Sequence, residues 1–275
     1  MDIEEKVAAH YGQDGLAGRV LAAIEQSGLD PAAPKVEDLA PVDEFHIGGR
    51  PATLHFAEML GFQAGSRLLD LGCGLGGAAR FIAAAYDCHV TGLDLTPAYI
   101  EVAQLLSERS GADSVSFQVG SALATPFEAE AFDGAYTIHV AMNIHDRAGL
   151  YREAARVLTP GAVFGAYDVM KGPAEGLAYP VPWAETAETS HLTSPDEMRG
   201  LLEEAGFEVT GFADRRQFAI DYFEQMRARM DESGPPPLGT HLLMGANFKQ
   251  KLANMRANLT ENRVVPAVMT ARKRG

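Results

Sequence analysis

The sequence predicts a doubly wound α/β fold, and three observations predict it. Short apolar runs of strand length at 67–71, 89–94, 115–119, 132–138 and 162–169 alternate with helix-like segments at 76–86, 97–110 and 150–158. A glycine-rich turn, Asp70-Leu71-Gly72-Cys73-Gly74-Leu75-Gly76-Gly77, follows the first run directly and opens a helix. A second acid, Asp94, closes the next run, 24 residues after Asp70. Strands that alternate with helices build a parallel sheet covered on both faces.

The remaining elements follow in order. Residues 3–27 read as amphipathic helices broken near Gly12 and Gly15, and Pro31, Pro34 and Pro41 then punctuate a linker before a helix at about 51–60. Residues 171–194 carry Pro173, Pro180 and Pro182 and lack a clean period, which marks a loop or lid over a site. Beyond it come a helix (195–205), a strand (208–214), a helix (218–231), a turn (234–239), a helix (240–259) and a last apolar stretch (264–270). No repeat and no low-complexity linker divides the series, so one domain is expected over 1–275. Within it we expect an N-terminal helical cap (1–50), a cofactor-binding core (51–170), a lid (171–197) and a C-terminal completion of the sheet (198–275).

Composition narrows the function. The 275 residues carry 23 Lys+Arg against 37 Asp+Glu, a net charge of −14, and that field repels nucleic acid. At 47% hydrophobic and 22% charged, the chain has the means to bury a large core. Cys73 and Cys88 are too few for a disulfide scaffold or a structural zinc site, so a reducing, cytoplasmic setting is expected. The start of the chain, charged at Asp2, Glu4, Glu5 and Lys6, does not read as a signal peptide, and no apolar run is long enough to span a bilayer. A small-molecule substrate is the expected partner, with the oligomeric state left open.

The glycine turn carries the chemistry. Glycine is required where a chain turns tightly and where backbone must touch a ligand, because a Cβ would clash in both places. Asp94 stands where a carboxylate accepts hydrogen bonds from ribose hydroxyls.

These residues resemble a known family. Asp-x-Gly-x-Gly-x-Gly at Asp70 to Gly76 is similar to motif I of the class I S-adenosylmethionine-dependent methyltransferases. The longer string Asp70 to Phe81, with His139 to Ile144, resembles the sarcosine and dimethylglycine N-methyltransferase group, and Phe45 to Thr53 resembles the cofactor-covering entry of that group and of its relatives, the phosphoethanolamine methyltransferases. The resemblance implies a seven-stranded Rossmann-like sheet whose last strand is antiparallel and inserted beside the sixth. It implies S-adenosylmethionine as cofactor and S-adenosylhomocysteine as product. Asp70, Gly72, Gly74 and Gly76 would line the methionine end, Asp94 would hold the ribose and Leu95 would border the adenine. The family commonly has Gly-Asp-Ala after the third strand, whose acid meets the adenine amine; here Gly120-Ser121-Ala122 offers a hydroxyl.

The acceptor side is read from the fourth strand and the lid. His139, ending the fourth strand, is the candidate catalytic base or lone-pair orienter, also placed against the cofactor, with Met142 and Asn143 beside it. Tyr179 and Trp183 in the lid could face a cationic amine, and Tyr11 and His46 belong to segments expected over the site. Arg80 is expected in an ion pair beneath it. The only Lys or Arg in 171–196 is Lys171, which leaves a phosphate uncompensated. The eight histidines form no His-x-x-x-His pair, so no metal is expected. The expected function is methyl transfer to a small molecule, foremost an amine nitrogen. The alternatives are an O- or C-methyltransferase of a natural product or quinone precursor, and a non-catalytic cofactor-binding protein. Arg50, Arg215 and Arg216 are the partners left for an acceptor carboxylate.

Overall fold

Strands β1 (Arg67–Leu71), β2 (His89–Asp94), β3 (Val115–Val119), β4 (Phe132–Ile138), β5 (Leu158–Lys171), β6 (Phe207–Asp214) and β7 (Val264–Lys273) form one sheet in a computed structural model that describes residues 3–12 and 15–275. Asp2, counted among the amino-terminal charges, lies outside the described residues. The strand order is β3-β2-β1-β4-β5-β7-β6. Strands β1 to β5 pair in parallel, and β7 runs antiparallel between β5 and β6, as the resemblance implied. Because β1 pairs with β2 on one side and β4 on the other, the order reverses there, and a crevice opens at the carboxyl ends of those strands.

The cap holds α1 (Ile3–Tyr11), α2 (Leu16–Gln26) and α3 (Val36–Asp43), and α4 (Gly49–Leu60) follows it. Next come α5 (Gly77–Tyr86), α6 (Pro97–Ser110), α7 (Arg147–Val157) and α8 (Pro195–Glu204). Between β6 and β7 lie α9 (Arg216–Ser233), α10 (His241–Met244) and α11 (Phe248–Thr260). One sheet face is covered by α4 and α5, where Phe56, Leu60 and Ile82 pack on Leu68, Val90 and Tyr167. The other is covered by α7 and α8, through Leu150, Tyr151 and Leu202 on Leu69, Phe164 and Phe207. Among the described residues no helix is long and apolar enough to cross a membrane.

Two expectations are corrected. The proline-marked linker contains α3, because Leu39 and Val42 are buried with Leu16, Val20 and Ile24 of α2, and that burial outweighs the local turn signals. The helix expected over 240–259 is broken into α10 and α11 at Gly245, whose φ of 82° belongs to the left-handed region.

The cap is fastened to the core through Arg80, 1% exposed on α5. Its guanidinium donates to Asp43 Oδ2 of α3 at 2.7 Å, to the Leu75 carbonyl at 2.6 Å, and to the Ala103 carbonyl and Ser107 Oγ of α6 at 3.1 and 2.8 Å. This is the ion pair expected beneath the site. Removing one partner of a buried pair leaves the other charge uncompensated, so Asp43→Ala should lower stability by about 3–5 kcal/mol. Urea unfolding checks it, and a loss below about 1 kcal/mol, the range of an exposed pair, would contradict the role given to Arg80.

Candidate active site

The crevice is roofed into a cavity of about 320 Å³. Its floor is the turn after β1. Gly72 has a φ of 83°, and a Cβ there would fall inside the side chain of Val140, which follows β4. The turn is held by backbone: Gly72 and Cys73 N–H donate to the Leu93 carbonyl at 2.7 and 3.0 Å. Asp94, at the end of β2, accepts from Gly74 N at 2.9 Å through Oδ2 and from Thr96 N at 2.9 Å through Oδ1. Each carboxylate oxygen has room for more than one donor, so Asp94 both sets the turn and keeps acceptor capacity toward the cavity. Burial raises the Asp94 carboxyl above its ordinary value and pushes Asp70 up to about 8. A ligand that brought donors or positive charge would offset that burial and restore the ionised form.

Of the residues predicted at the cofactor side, Asp70, Gly72, Gly74, Asp94, Leu95, Ser121, Ala122 and His139 line the cavity. Gly76 does not. It stands behind the turn, where a Cβ would press on Phe117 at 2.6 Å and on Arg80 at 2.9 Å, so its bareness serves packing. Ser121 is committed: its hydroxyl donates to Glu4 of α1 and accepts from Leu123 N at 3.1 Å.

On the acceptor side Tyr11, His46, Met142, Asn143 and Trp183 line the cavity, and Tyr179 stays outside it, packed against the cluster of Trp183, Phe223 and Leu259. Asn143 proves to be a fastener. Its Nδ2 donates to the Trp183 and Thr189 carbonyls at 2.8 and 3.0 Å, and its Oδ1 accepts from the Tyr11 hydroxyl at 2.9 Å, which ties cap and lid to the end of β4. His46 Nε2 donates to the Gly49 carbonyl at 3.2 Å, and burial holds its imidazole below the ordinary value.

His139 sits at a φ of 55°, a conformation a non-glycine residue holds only when its surroundings impose it. Its N–H donates to the Tyr167 carbonyl at 2.7 Å, and its ring packs against Tyr167 at 4.8 Å and His46 at 5.9 Å between centroids. Its Nε2 is buried without a hydrogen-bond partner. Burial, reinforced by His46, holds the imidazole well below its ordinary value, so it is a neutral ring with a proton-accepting nitrogen at physiological pH.

Sequence reasoning missed the wall opposite. Tyr222, Phe223 and Met226 of α9, Leu243 and Met244 of α10, and Leu252 and Met255 of α11 line the cavity. Their helical spacing is indistinguishable in sequence from that of ordinary core positions. Among the described residues no Lys or Arg lines the cavity, and no cluster of His, Cys, Asp and Glu could hold a metal ion. Arg50 pairs with Glu44 and lies over Phe81 at 4.5 Å, and Arg215 lies over Phe218 at 4.2 Å.

The chain is similar to known methyltransferases. A family described as "Methyltransferase domain" matches residues 69–165. The O-methyltransferase rstn1 of Aspergillus nomiae is 34% identical over 178 residues, which cover 63% of this chain and 78% of that protein. Among solved structures, Haemonchus contortus phosphoethanolamine N-methyltransferase 2, in complex with phosphomonomethylethanolamine and S-adenosylhomocysteine, superposes with a TM-score of 0.73 at 19% identity. That match covers 93% of this chain and 57% of the other. Geranyl diphosphate C-methyltransferase from Streptomyces coelicolor superposes with a TM-score of 0.71 at 18% identity, covering 99% and 98% of the two chains.

The double duty of Asp94 makes a measurable claim. Asp94→Ala should weaken S-adenosylhomocysteine binding by about 1–3 kcal/mol through loss of charge-assisted hydrogen bonds. Titration calorimetry on the folded variant reads it, and unchanged affinity would remove Asp94 from the ribose.

Proposed function

This chain belongs to the class I S-adenosylmethionine-dependent methyltransferases, and from that membership we propose that it methylates a hydroxyl oxygen on a largely apolar small molecule. The observation that carries the acceptor reading is the cavity wall. Met142, Val169, Trp183, Phe223, Leu243 and Met255 enclose the acceptor side, and no Lys or Arg lines the cavity among the described residues. A phosphate or carboxylate brought there would lose its water without a compensating charge, whereas an apolar ring or chain gains by burial. The match to an O-methyltransferase across most of that protein's length supports an oxygen acceptor.

The cofactor fits the residues present. The bare Gly72 turn admits a ligand against backbone, Asp94 retains acceptor capacity for a ribose diol, and the buried Asp70 carboxyl favours a cationic amino acid end. S-adenosylmethionine, when bound, supplies an electrophilic methyl group on a sulfonium.

The chain's own residues then position and deprotonate the acceptor. His139 Nε2, lacking a protein partner, accepts the hydroxyl hydrogen, turns an oxygen lone pair toward the transferred group and takes the proton as the oxygen is alkylated. The apolar wall and α1 exclude water, and alignment supplies most of the remaining acceleration. Asn143, its polar atoms spent on Tyr11, Trp183 and Thr189, keeps cap and lid shut.

A second reading, transfer to an amine nitrogen, is favoured by the aromatic residues Trp183, Tyr222 and Phe223 in the lining, since aromatic faces attract alkylammonium groups. Carboxylated amines such as sarcosine are left out of it, because Arg50, Arg215 and Arg216 all stand outside the lining.

The test is a competition assay offering phenols, fatty alcohols, alkylamines, sarcosine and phosphoethanolamine at equal concentration. Apolar hydroxyl compounds should be methylated first, and preferential methylation of phosphoethanolamine or sarcosine would overturn the reading. His139→Ala should lower kcat about a hundredfold. Because burial depresses the His139 imidazole, the proton-accepting form persists as pH falls through the ordinary histidine range. The rate should therefore stay flat from pH 8 to roughly pH 6.5 and fall only below it, a limb absent in His139→Ala. A limb centred above pH 7 that survives in the variant would remove His139 from the reaction.

A further inference from the structure

Helix α1 contributes no buried residue, yet Ile3, Glu4, Val7 and Tyr11 line the cavity along one helical face. Tyr11 packs against the cluster that holds Tyr99, and the rest of the attachment is polar. Ser121 donates to Glu4, Lys6 pairs with Glu188 of the lid, His10 Nε2 meets the Pro182 carbonyl at 3.3 Å, and Tyr11 donates to Asn143. The helix is thus a strap bonded on one side to the loop after β3 and on the other to the lid and the end of β4.

The sheet order fixes what lies under the β3 end of that strap. From β1, which carries the glycine turn, the strands run outward to β2 with Asp94 and then to β3, with Ser121 just beyond it. A nucleoside whose ribose lies on Asp94 must extend its base either over β1 or outward over β3, and the β1 side is the crevice shared with His139. At the β3 side Leu95, Ala122 and Leu123 supply apolar surface for the faces of a base, and Glu4 supplies a carboxylate at its edge. The Ser121 hydroxyl hydrogen is already spent on one Glu4 oxygen, Oε1. Oε2 is not engaged by that bond, and Glu4 lines the cavity, so the carboxylate keeps acceptor capacity for a donor brought by a base.

We infer that Glu4 of the strap helix reads the exocyclic amine of adenine, with Ser121 holding the carboxylate in place, so that base identity is sensed by the cap as well as by the sheet. A base carrying a carbonyl at that position would set its lone pairs against the carboxylate and leave Glu4 desolvated without a donor. The inference rests on the cofactor assignment and is independent of the acceptor.

Titration calorimetry with S-adenosylhomocysteine and S-inosylhomocysteine tests it by binding alone. Wild type should prefer the adenine ligand by at least about tenfold, as expected of a charge-assisted hydrogen bond. Glu4→Gln, whose amide can donate to the inosine carbonyl, should bring the two ligands to near parity. Adding Ser121→Asp to Glu4→Gln returns a carboxylate to the same place and should recover the preference. An unchanged melting temperature is expected in both variants, since neither Glu4 nor Ser121 belongs to the hydrophobic core. A Glu4→Gln protein that keeps the wild-type preference overturns the inference, as does a double variant that recovers none of it. If wild type binds neither ligand, the cofactor assignment falls and this inference with it.

Discussion

The buried guanidinium of Arg80 is the contact on which the rest of the site depends. It joins elements far apart in sequence, the end of α3 through Asp43, the turn after β1 through the Leu75 carbonyl, and α6 through Ala103 and Ser107. A charge at 1% exposure is costly unless it is paired and bonded; the two terminal nitrogens are answered while Nε has no partner, and the answering groups are those that must not move if the turn is to hold its shape. Arg80 is not among the residues that line the cavity. It converts the glycine turn, flexible in isolation, into a rigid floor on which Asp94 can hold Gly74 and Thr96.

Above that floor the cavity divides by chemistry. Toward β1, β2 and β3 it offers backbone turns and carboxylates, and toward α9, α10 and α11 it offers methionine, leucine and aromatic side chains. His139 stands at the end of β4 beside the turn, its left-handed backbone imposed by the bond to the Tyr167 carbonyl and the packing of Val140 on Gly72. A neutral imidazole at such a boundary can take a proton without having been charged beforehand. That property follows from burial beside the same cavity whose other wall is apolar.

The glycine turn after β1 was legible in the sequence because its determinants are consecutive. Glycines, a preceding strand and an acid ending the next strand are a local grammar, and the sheet followed from alternation. The antiparallel β7 came with the resemblance. The apolar wall was not legible. Phe223, Met226, Leu243 and Met255 sit at ordinary core spacing, and only the tertiary path of α9 to α11 turns them toward the cavity. Tyr179 and Trp183 looked equivalent, four residues apart in an irregular lid, and only Trp183 reaches the lining. Helix α3 was hidden behind Pro34 and Pro41, since its stability comes from the burial of Leu39 and Val42 against α2 and not from its own propensity. Glu4 read as one of several amino-terminal charges. Its bond to Ser121 spans the whole N-terminal half of the cofactor region, a separation no local pattern encodes.

The central claim is that the cofactor lies on the Gly72–Gly74 turn against Asp94, beneath the strap and apart from the apolar wall. Amide hydrogen exchange in the presence and absence of S-adenosylhomocysteine tests it most directly. The account predicts protection concentrated in residues 72–76, 94–96 and 120–123 and in α1, with little change along α9 and α11. Protection confined to α9 and α11, with the turn after β1 exchanging as in the free protein, would contradict it.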